Sequence, residues 1–474
     1  MYIPTIGLEV HCELKTNTKN FSSAANTYSE IPNSNLATTD LGLPGILPVI
    51  NEYGVKQSLK MALAMHCEIP EFMTFERKNY FYPDLPKGYQ ITQFDQPVGI
   101  NGYVMINVNG EDKKVLIHDT HLEEDTASLD HYGDYSLIDY NRAGVPLLET
   151  VTEPCMHSVE EAIAFLEALR SIFLYCDASE ARTDRGQMRC DVNVSLVKEG
   201  VQELGTKVEI KNVNSFNNVK DAILTEIKRQ TELLESGIAI AQETRRYDED
   251  HMCTYSMRSK EDAIDYKYFK EPNLPPIRLK RDWIAEIEKE LPSFPYERIT
   301  KYMEVYGLSR YDATILVKEK EMAEYFEASL EEGADPKSAS NWITSVILGH
   351  MNKYEIPISK LFLTPKMLVE LIHLISSGKI SSKQAKEVLY ASLEQEKSPV
   401  QLVEELGIKQ IGGDAEIATI VNEVFGENPN AKSEYQAGRT NIVDFLVGQV
   451  MKKTKGQANP ATTRKMIQEE IQKG

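Results

Sequence analysis

The hydrophobic period of this chain changes once along its length, and that change restricts its architecture more than any other feature. Through roughly the first 290 residues, stretches of strict alternation recur: IGLEVHCEL (Ile6 to Leu14), YVMINVNGEDKKVLIH (Tyr103 to His118), MRCDVNVSL and TKVEIKNV. Period two marks strands with one face buried. The Asn109-Gly110 pair inside the second stretch predicts a tight hairpin turn. Capped helices stand between the strands. In SVEEAIAFLEALRSIFLYC, Ser158 and Glu161 form a capping box, and Ile163, Leu166, Leu169 and Phe173 follow at helical spacing. After the proline-rich EPNLPPIRL and LPSFPYER no strand pattern returns. One of the helices beyond is TPKMLVELIHLISSG, where Thr364 caps, Pro365 takes the first turn and Gly378 ends the helix. The pattern predicts an α+β fold with a largely antiparallel sheet over residues 1–294. An all-α domain follows over 295–400, and a small all-α tail domain over 401–474.

A chain of 474 residues exceeds what one hydrophobic core organises, which fits two to four domains. Its apolar runs fall short of the roughly 20 residues a membrane helix needs, and no basic segment leads into an apolar one at the start. A soluble, cytoplasmic protein without membrane contact is expected. The six cysteines show no C-x-x-C spacing, which argues against a zinc knuckle and against a disulfide framework. With 72 acidic against 52 basic residues the net charge is −20, so any nucleic-acid contact has to be local.

The usual nucleotide and nucleophile signatures, G-x-x-x-x-G-K-[ST] and G-x-S-x-G, are missing. The chemistry rests instead on carboxylates and bases. Glu9, His11 and Glu13 share one face of the first predicted strand. They form either the wet side of a surface strand or part of a cation site. HLEED (His121 to Asp125) is either a solvated turn or a second carboxylate source. Glu149 lies in an apolar strand after a Gly-Val-Pro turn, and a buried carboxylate needs a counter-charge or a metal. Arg142 could supply the first, and Glu9 and His11 with a cation the second. Arg189, Asp191 and Asn193 alternate on one strand, Lys207, Glu209 and Lys211 on another, and either set could be a cross-strand charge ladder. Taken together, four strands with inward polar groups suit phosphoryl transfer, in which positioning and charge neutralisation do most of the work.

These segments also carry a family resemblance. IGLEVHCEL, RKNYFYPDLPKGYQITQFDQP, HLEED, DYNRAGVPLLETVTEP, GQMRCDVNVSL, VEIKNVNSF, QETRRYD and FLVGQVMKKTKGQANP occur in order from Ile6 nearly to the end. The chain thereby resembles the B-subunit family of the bacterial aspartyl/glutamyl-tRNA amidotransferases. The resemblance implies a cradle-shaped catalytic domain with a glutamine-synthetase-like sheet, followed by a helical domain and a helical tail. It implies that ATP and Mg²⁺ serve to phosphorylate the side-chain carboxylate of Glu-tRNA(Gln) or Asp-tRNA(Asn), after which ammonia forms the amide. By the same resemblance Glu9, His11, Glu124 and Glu149 bind metal, with Glu123 the alternative to Glu124. Arg142, Arg189 and Lys211 contact phosphate, with Asn193 beside them, and Asp191 and Glu209 hold a second Mg²⁺. Lys78, Tyr80 and Lys87 border an ammonia passage. No zinc is expected, because the paired cysteines of some relatives are missing here. The chain shows no centre that releases ammonia, so the resemblance implies a heterotrimer completed by an amidase (the A subunit) and a small C subunit. Residues 450–474 hold six basic and two acidic residues, and the family pattern assigns Lys452, Lys453 and Lys455 to the tRNA body. A self-contained ligase acting on a small amino acid and a non-catalytic tRNA scaffold are the competing readings.

Overall fold

The computed structural model describes residues 2–201, 203–213, 215–259, 265–407, 414–436, 438–454, 458 and 460–472. The chain divides into two compact units, residues 1–296 and 297–474. The first is built on an eight-stranded sheet. In chain order its strands are β1 (Tyr2–Glu13), β2 (Gly99–Val108), β3 (Glu111–Glu124), β4 (Pro146–Thr152), β5 (Met188–Lys198), β6 (Val208–Val213), β7 (Glu243–Asp248) and β8 (Cys253–Ser259). Their spatial order is β8-β7-β6-β5-β1-β4-β3-β2. Every pairing is antiparallel except β6 with β7. The Asn109-Gly110 turn joins β2 to β3 with both residues at positive φ, 54° and 90°, which a two-residue hairpin of this hand requires.

One face of the sheet is apolar. Leu8, Val10 and Cys12 of β1 are at most 1% exposed and join Val192 and Val194 of β5 and Leu122 of β3 in one cluster. Helices α1 (Glu52–Ala64), α2 (Val159–Tyr175) and α3 (Phe216–Glu235) contribute Leu59, Phe165, Leu169 and Ile223 to the same core. Each such side chain, fully buried, contributes about 2 kcal/mol through the water it sheds. Ser158 starts α2 by accepting from the Glu161 amide, while the Glu161 carboxylate reaches the His157 amide instead of closing the box on Ser158. With the helices covering the apolar face, the polar residues between those positions all lie on the opposite face.

A three-stranded sheet of Phe269–Lys270, Glu76–Asn79 and Tyr89–Thr92 belongs to the same unit. The segment RKNYFYPDLPKGYQ therefore contributes two short strands around its central loop. Every helix or strand assigned among the described residues of the second unit is a helix. Its apolar side chains form two separate clusters, one running from Tyr302 to Leu402 and the other from Ile417 to Ile471. Thr364 caps the helix Pro365–Ser376 by accepting from the Met367 amide, and Gly378 follows at φ 70°. No helix among the described residues is long and apolar enough to cross a membrane.

Candidate active site

Cross-strand register assembles the site. His11 lies opposite Glu149 of β4 and Arg189 of β5, and Glu9 lies opposite Asp191. Asn193 faces Glu209 across β5 and β6, and His121 of β3 faces Glu149. Five neighbouring strands thus present ionisable groups on one face. A cavity of about 400 Å³ opens over them, lined by His11, Glu123, Arg142, Arg189, Asp191 and Lys211 together with Lys78 and Tyr80.

Two groups of donors converge there. His11, Glu123 and Glu149 bring ligand-type atoms within 4.8 Å of one another, and Glu9, Asp191 and Glu209 do the same. In the first, His11 Nε2 lies 3.2 Å from Glu149 Oε2 and 3.8 Å from Glu123 Oε1. In the second, Lys211 Nζ donates to Asp191 Oδ2 at 2.6 Å and lies 2.9 Å from Glu209 Oε1, while Asn193 Nδ2 donates to Glu9 Oε1 at 2.9 Å. A hard divalent cation suits sets dominated by carboxylate oxygen. The first set, with a single imidazole and no lysine inserted, fits one most directly.

The expected metal set included Glu124; the geometry brings Glu123 to the cluster instead. Beyond an irregularity between Ile117 and Asp119, β3 pairs regularly with β4 to its end, so Asp119, His121 and Glu123 share one face while Thr120, Leu122 and Glu124 share the other. Glu124 is clamped by Lys87, whose Nζ reaches its two carboxylate oxygens at 2.5 and 2.6 Å, and by the Ile91 amide at 2.9 Å. Lys87, expected beside an ammonia passage, thus holds a buried ion pair. Arg142 is not the counter-charge of Glu149 either. Its Nε and Nη2 donate to the carbonyls of Thr126 and Ala127, and Nε lies 3.5 Å from Asp125. Arg189 donates to the same Asp125 at 2.7 Å. Gly144, at φ 85°, completes the turn that carries Arg142; a Cβ there would come within 2.9 Å of Asp40 Oδ1.

His121 escaped the sequence reading. Its Nδ1 lies 2.7 Å from Asp119 Oδ1 and its Nε2 3.1 Å from Glu149 Oε2, so two imidazoles grip one carboxylate. The alternation Asp119, His121, Glu123 was the signal that could have revealed it. Burial opposes charge on Glu149 and His121, but their mutual attraction wins. Burial tends to raise the Glu149 pKa, yet the adjacent His11 and His121 hold it well below the carboxylate range. Burial tends to lower the His121 pKa, yet the Glu149 charge raises it well above the ordinary value. Burial pushes the Glu13 carboxyl up to about 7, aided by the nearby Asp125. Asp125 is also opposed by burial, but Arg189 and Arg142 bring its pKa below normal.

Lys78 and Tyr80 reach the cavity rim. Lys78 feels the charges of Glu123 and Glu149, which raise its pKa against the effect of burial. In the tail, Lys452 is exposed, whereas Lys453 is engaged by Glu423 at 3.2 Å and Glu427 at 2.6 Å. Lys455 lies outside the described residues.

Fold and site together define a mixed α/β protein whose large sheet gathers carboxylates, imidazoles and guanidinium groups on one polar face. Residues 4–285 match the GatB/GatE catalytic domain and residues 324–471 match the GatB domain. The chain is 47% identical over 467 residues to the B subunit of the aspartyl/glutamyl-tRNA(Asn/Gln) amidotransferase of Oceanobacillus iheyensis, with 98% of each chain covered. It is 47% identical over 469 residues to the B subunit from Geobacillus thermodenitrificans, covering 99% and 98%. With the B subunit from Persephonella marina it shares 46% over 467 residues, 98% of each. The chain belongs to the GatB/GatE family.

Proposed function

We infer that the chain works as the B subunit of a tRNA-dependent amidotransferase, a ligase-type enzyme that turns a glutamyl or aspartyl group carried on tRNA into its amide. The observation that supports this most is the meeting of His11, Glu123 and Glu149 with Lys78, Arg142 and Arg189 around one cavity. In the reaction, an oxygen of the substrate's side-chain carboxylate bonds to the γ-phosphorus of ATP as the bond to ADP breaks. Ammonia then bonds to the acyl carbon and inorganic phosphate leaves.

Mg²⁺ held by His11, Glu123 and Glu149 would offset the negative charge brought together by the phosphates and the substrate. The protein's own groups do the positioning. Asp125 holds Arg142 and Arg189 side by side, so their remaining N–H groups present fixed positive charge to phosphate oxygens. Lys211 neutralises Asp191 and Glu209 and faces the same cavity, near Asn193. Lys78, poised beside Glu123 and Glu149, suits the incoming carboxylate.

The finer architecture belongs to the same reading: a glutamine-synthetase-like cradle to about residue 294, a helical domain to about 400, and a tail whose Lys452, Lys453 and Lys455 contact the tRNA. Ammonia comes from an amidase, the A subunit, joined by a small C subunit, through a passage bordered by Lys78, Tyr80 and Lys87. The setting is cytoplasmic. The test is ADP release from MgATP with Glu-tRNA(Gln), Asp-tRNA(Asn), uncharged tRNA and free glutamate supplied in turn. Release confined to the mischarged tRNAs is expected. Equal release with free glutamate would favour a self-contained ligase, and none with any substrate would favour a scaffold.

A further inference from the structure

At the rim of the cavity a group of aromatic rings stands partly in solvent. Phe94 and Tyr268 stack with centroids 4.4 Å apart and planes 11° from parallel, and Phe94 is 66% exposed. Tyr266 meets Tyr268 edge-on at 6.0 Å and Tyr80 at 5.7 Å, and Lys78 Nζ lies 5.1 Å from the Tyr266 ring centre. The backbone beneath them is fixed. Asn79 donates three times to the 266–267 segment, from its amide to the Tyr266 carbonyl at 2.9 Å and from its Nδ2 to the carbonyls of Lys267 at 2.9 Å and Tyr266 at 3.3 Å. Phe269 and Lys270 pair with Arg77 and Glu76, and the Glu76 carboxylate accepts from the Phe94 amide at 2.7 Å. None of these rings is needed for the sheet's apolar core.

We propose that the Phe94–Tyr268 stack, with Tyr266 and Tyr80, is a platform on which unpaired bases at the 3′ end of the aminoacyl-tRNA stack while the attached side chain reaches the carboxylate cluster. This rests on the amidotransferase reading above and adds a location for the substrate's nucleotides. Three features favour RNA over a protein partner. First, the platform is continuous with the site, because Lys78 and Tyr80 line the cavity and also contact the ring group. Second, the reach is right: a glutamyl side chain and its ester link span about 7 Å, from six bonds near 1.5 Å, so the terminal nucleotides have to lie against the cavity rim. Third, Lys267 stands exposed between the two tyrosines of the same segment, within reach of a phosphate on a stacked strand, while Lys270 is engaged by Asp95 at 3.4 Å. Stacking on ring faces is the sequence-tolerant way to hold single-stranded bases, and lysines supply the phosphate contacts.

The test uses the full chain and two RNA probes: an acceptor-stem minihelix with its unpaired 3′ strand, and the same minihelix trimmed to the duplex. The unsubstituted chain should bind the first more tightly. Phe94→Leu and Tyr268→Leu, which keep apolar bulk but remove the ring, should each shrink that preference about tenfold and leave binding of the trimmed duplex unchanged. With intact mischarged tRNA they should raise KM and preserve ADP release at saturating tRNA. A preference that survives both substitutions, or that is absent from the unsubstituted chain, overturns the platform. So does loss of assembly with the partner proteins while the preference stays intact, which would make the rings a protein interface. Failure of the parent reading looks different, since the unsubstituted chain would then release no ADP with any mischarged tRNA.

Discussion

His121 lies directly across the sheet from Glu149, with its Nε2 3.1 Å from the carboxylate and its Nδ1 fixed by Asp119 at 2.7 Å. The arrangement is a carboxylate–imidazole–carboxylate relay that sets the direction in which Glu149 points. Outer-shell partners of this kind alter metal affinity about 10- to 100-fold. His121→Ala should therefore raise the Mg²⁺ concentration needed for half-maximal ADP release by about that factor, with His121→Gln, which retains an N–H donor, falling between. An unchanged Mg²⁺ requirement in the alanine variant would reduce His121 to an ordinary cross-strand neighbour.

The Lys87–Glu124 pair makes a prediction about stability. Both side chains are nearly buried, at 10% and 5% exposure, and Glu124 has further hydrogen bonds. Removing only one partner leaves an unpaired charge in the interior, at a cost of roughly 3 to 5 kcal/mol. Lys87→Met should melt well below the parent chain, and Lys87→Met combined with Glu124→Gln should recover much of that loss. Additive losses in denaturant melts would show that the two residues act separately.

Acid titration should expose a second pair. Arg77 Nε reaches Glu271 Oε2 at 2.5 Å and Nη2 reaches Oε1 at 3.1 Å. Burial tends to raise the Glu271 pKa, but the Arg77 hydrogen bonds bring it below the usual value. A carboxylate with a depressed folded pKa stabilises the protein above its unfolded pKa of about 4.3, and that stability is lost as pH falls through the folded value. Arg77→Met should thus cost about 3 kcal/mol near neutral pH and progressively less below about pH 4. A deficit that stays constant down to pH 3 would contradict the pairing.

Much of this was legible because local rules and tertiary structure agree. The alternation in IGLEVHCEL appears as β1 with Leu8, Val10 and Cys12 in the core, and Asn109-Gly110 forms the turn its composition calls for. Thr364, Pro365 and Gly378 frame their helix for the same reason: each satisfies a helix end without tertiary help. The site was less legible. Whether Glu123 or Glu124 faces the cluster depends on how far β3 stays regular, and that is set by its pairing with β4. The partners of Arg142 depend on a chain reversal that brings Thr126 and Ala127 to it. Lys87 and Glu124 are 37 positions apart, a contact no periodicity encodes.

The central claim is that His11, Glu123 and Glu149 serve a cation used in phosphoryl transfer, and the most direct test is Glu149→Gln. Glutamine preserves the volume and one carbonyl oxygen while removing the charge. Its partners, His11 and His121, can each release a proton, so the fold need not retain a stranded positive charge as it would with an arginine partner. The measurement is ADP release driven by Glu-tRNA(Gln) across a Mg²⁺ titration, alongside the melting temperature without nucleotide. The account predicts no ADP release above background at any Mg²⁺ concentration, with the melting temperature lowered by only a few degrees. Near-normal turnover in Glu149→Gln would contradict it.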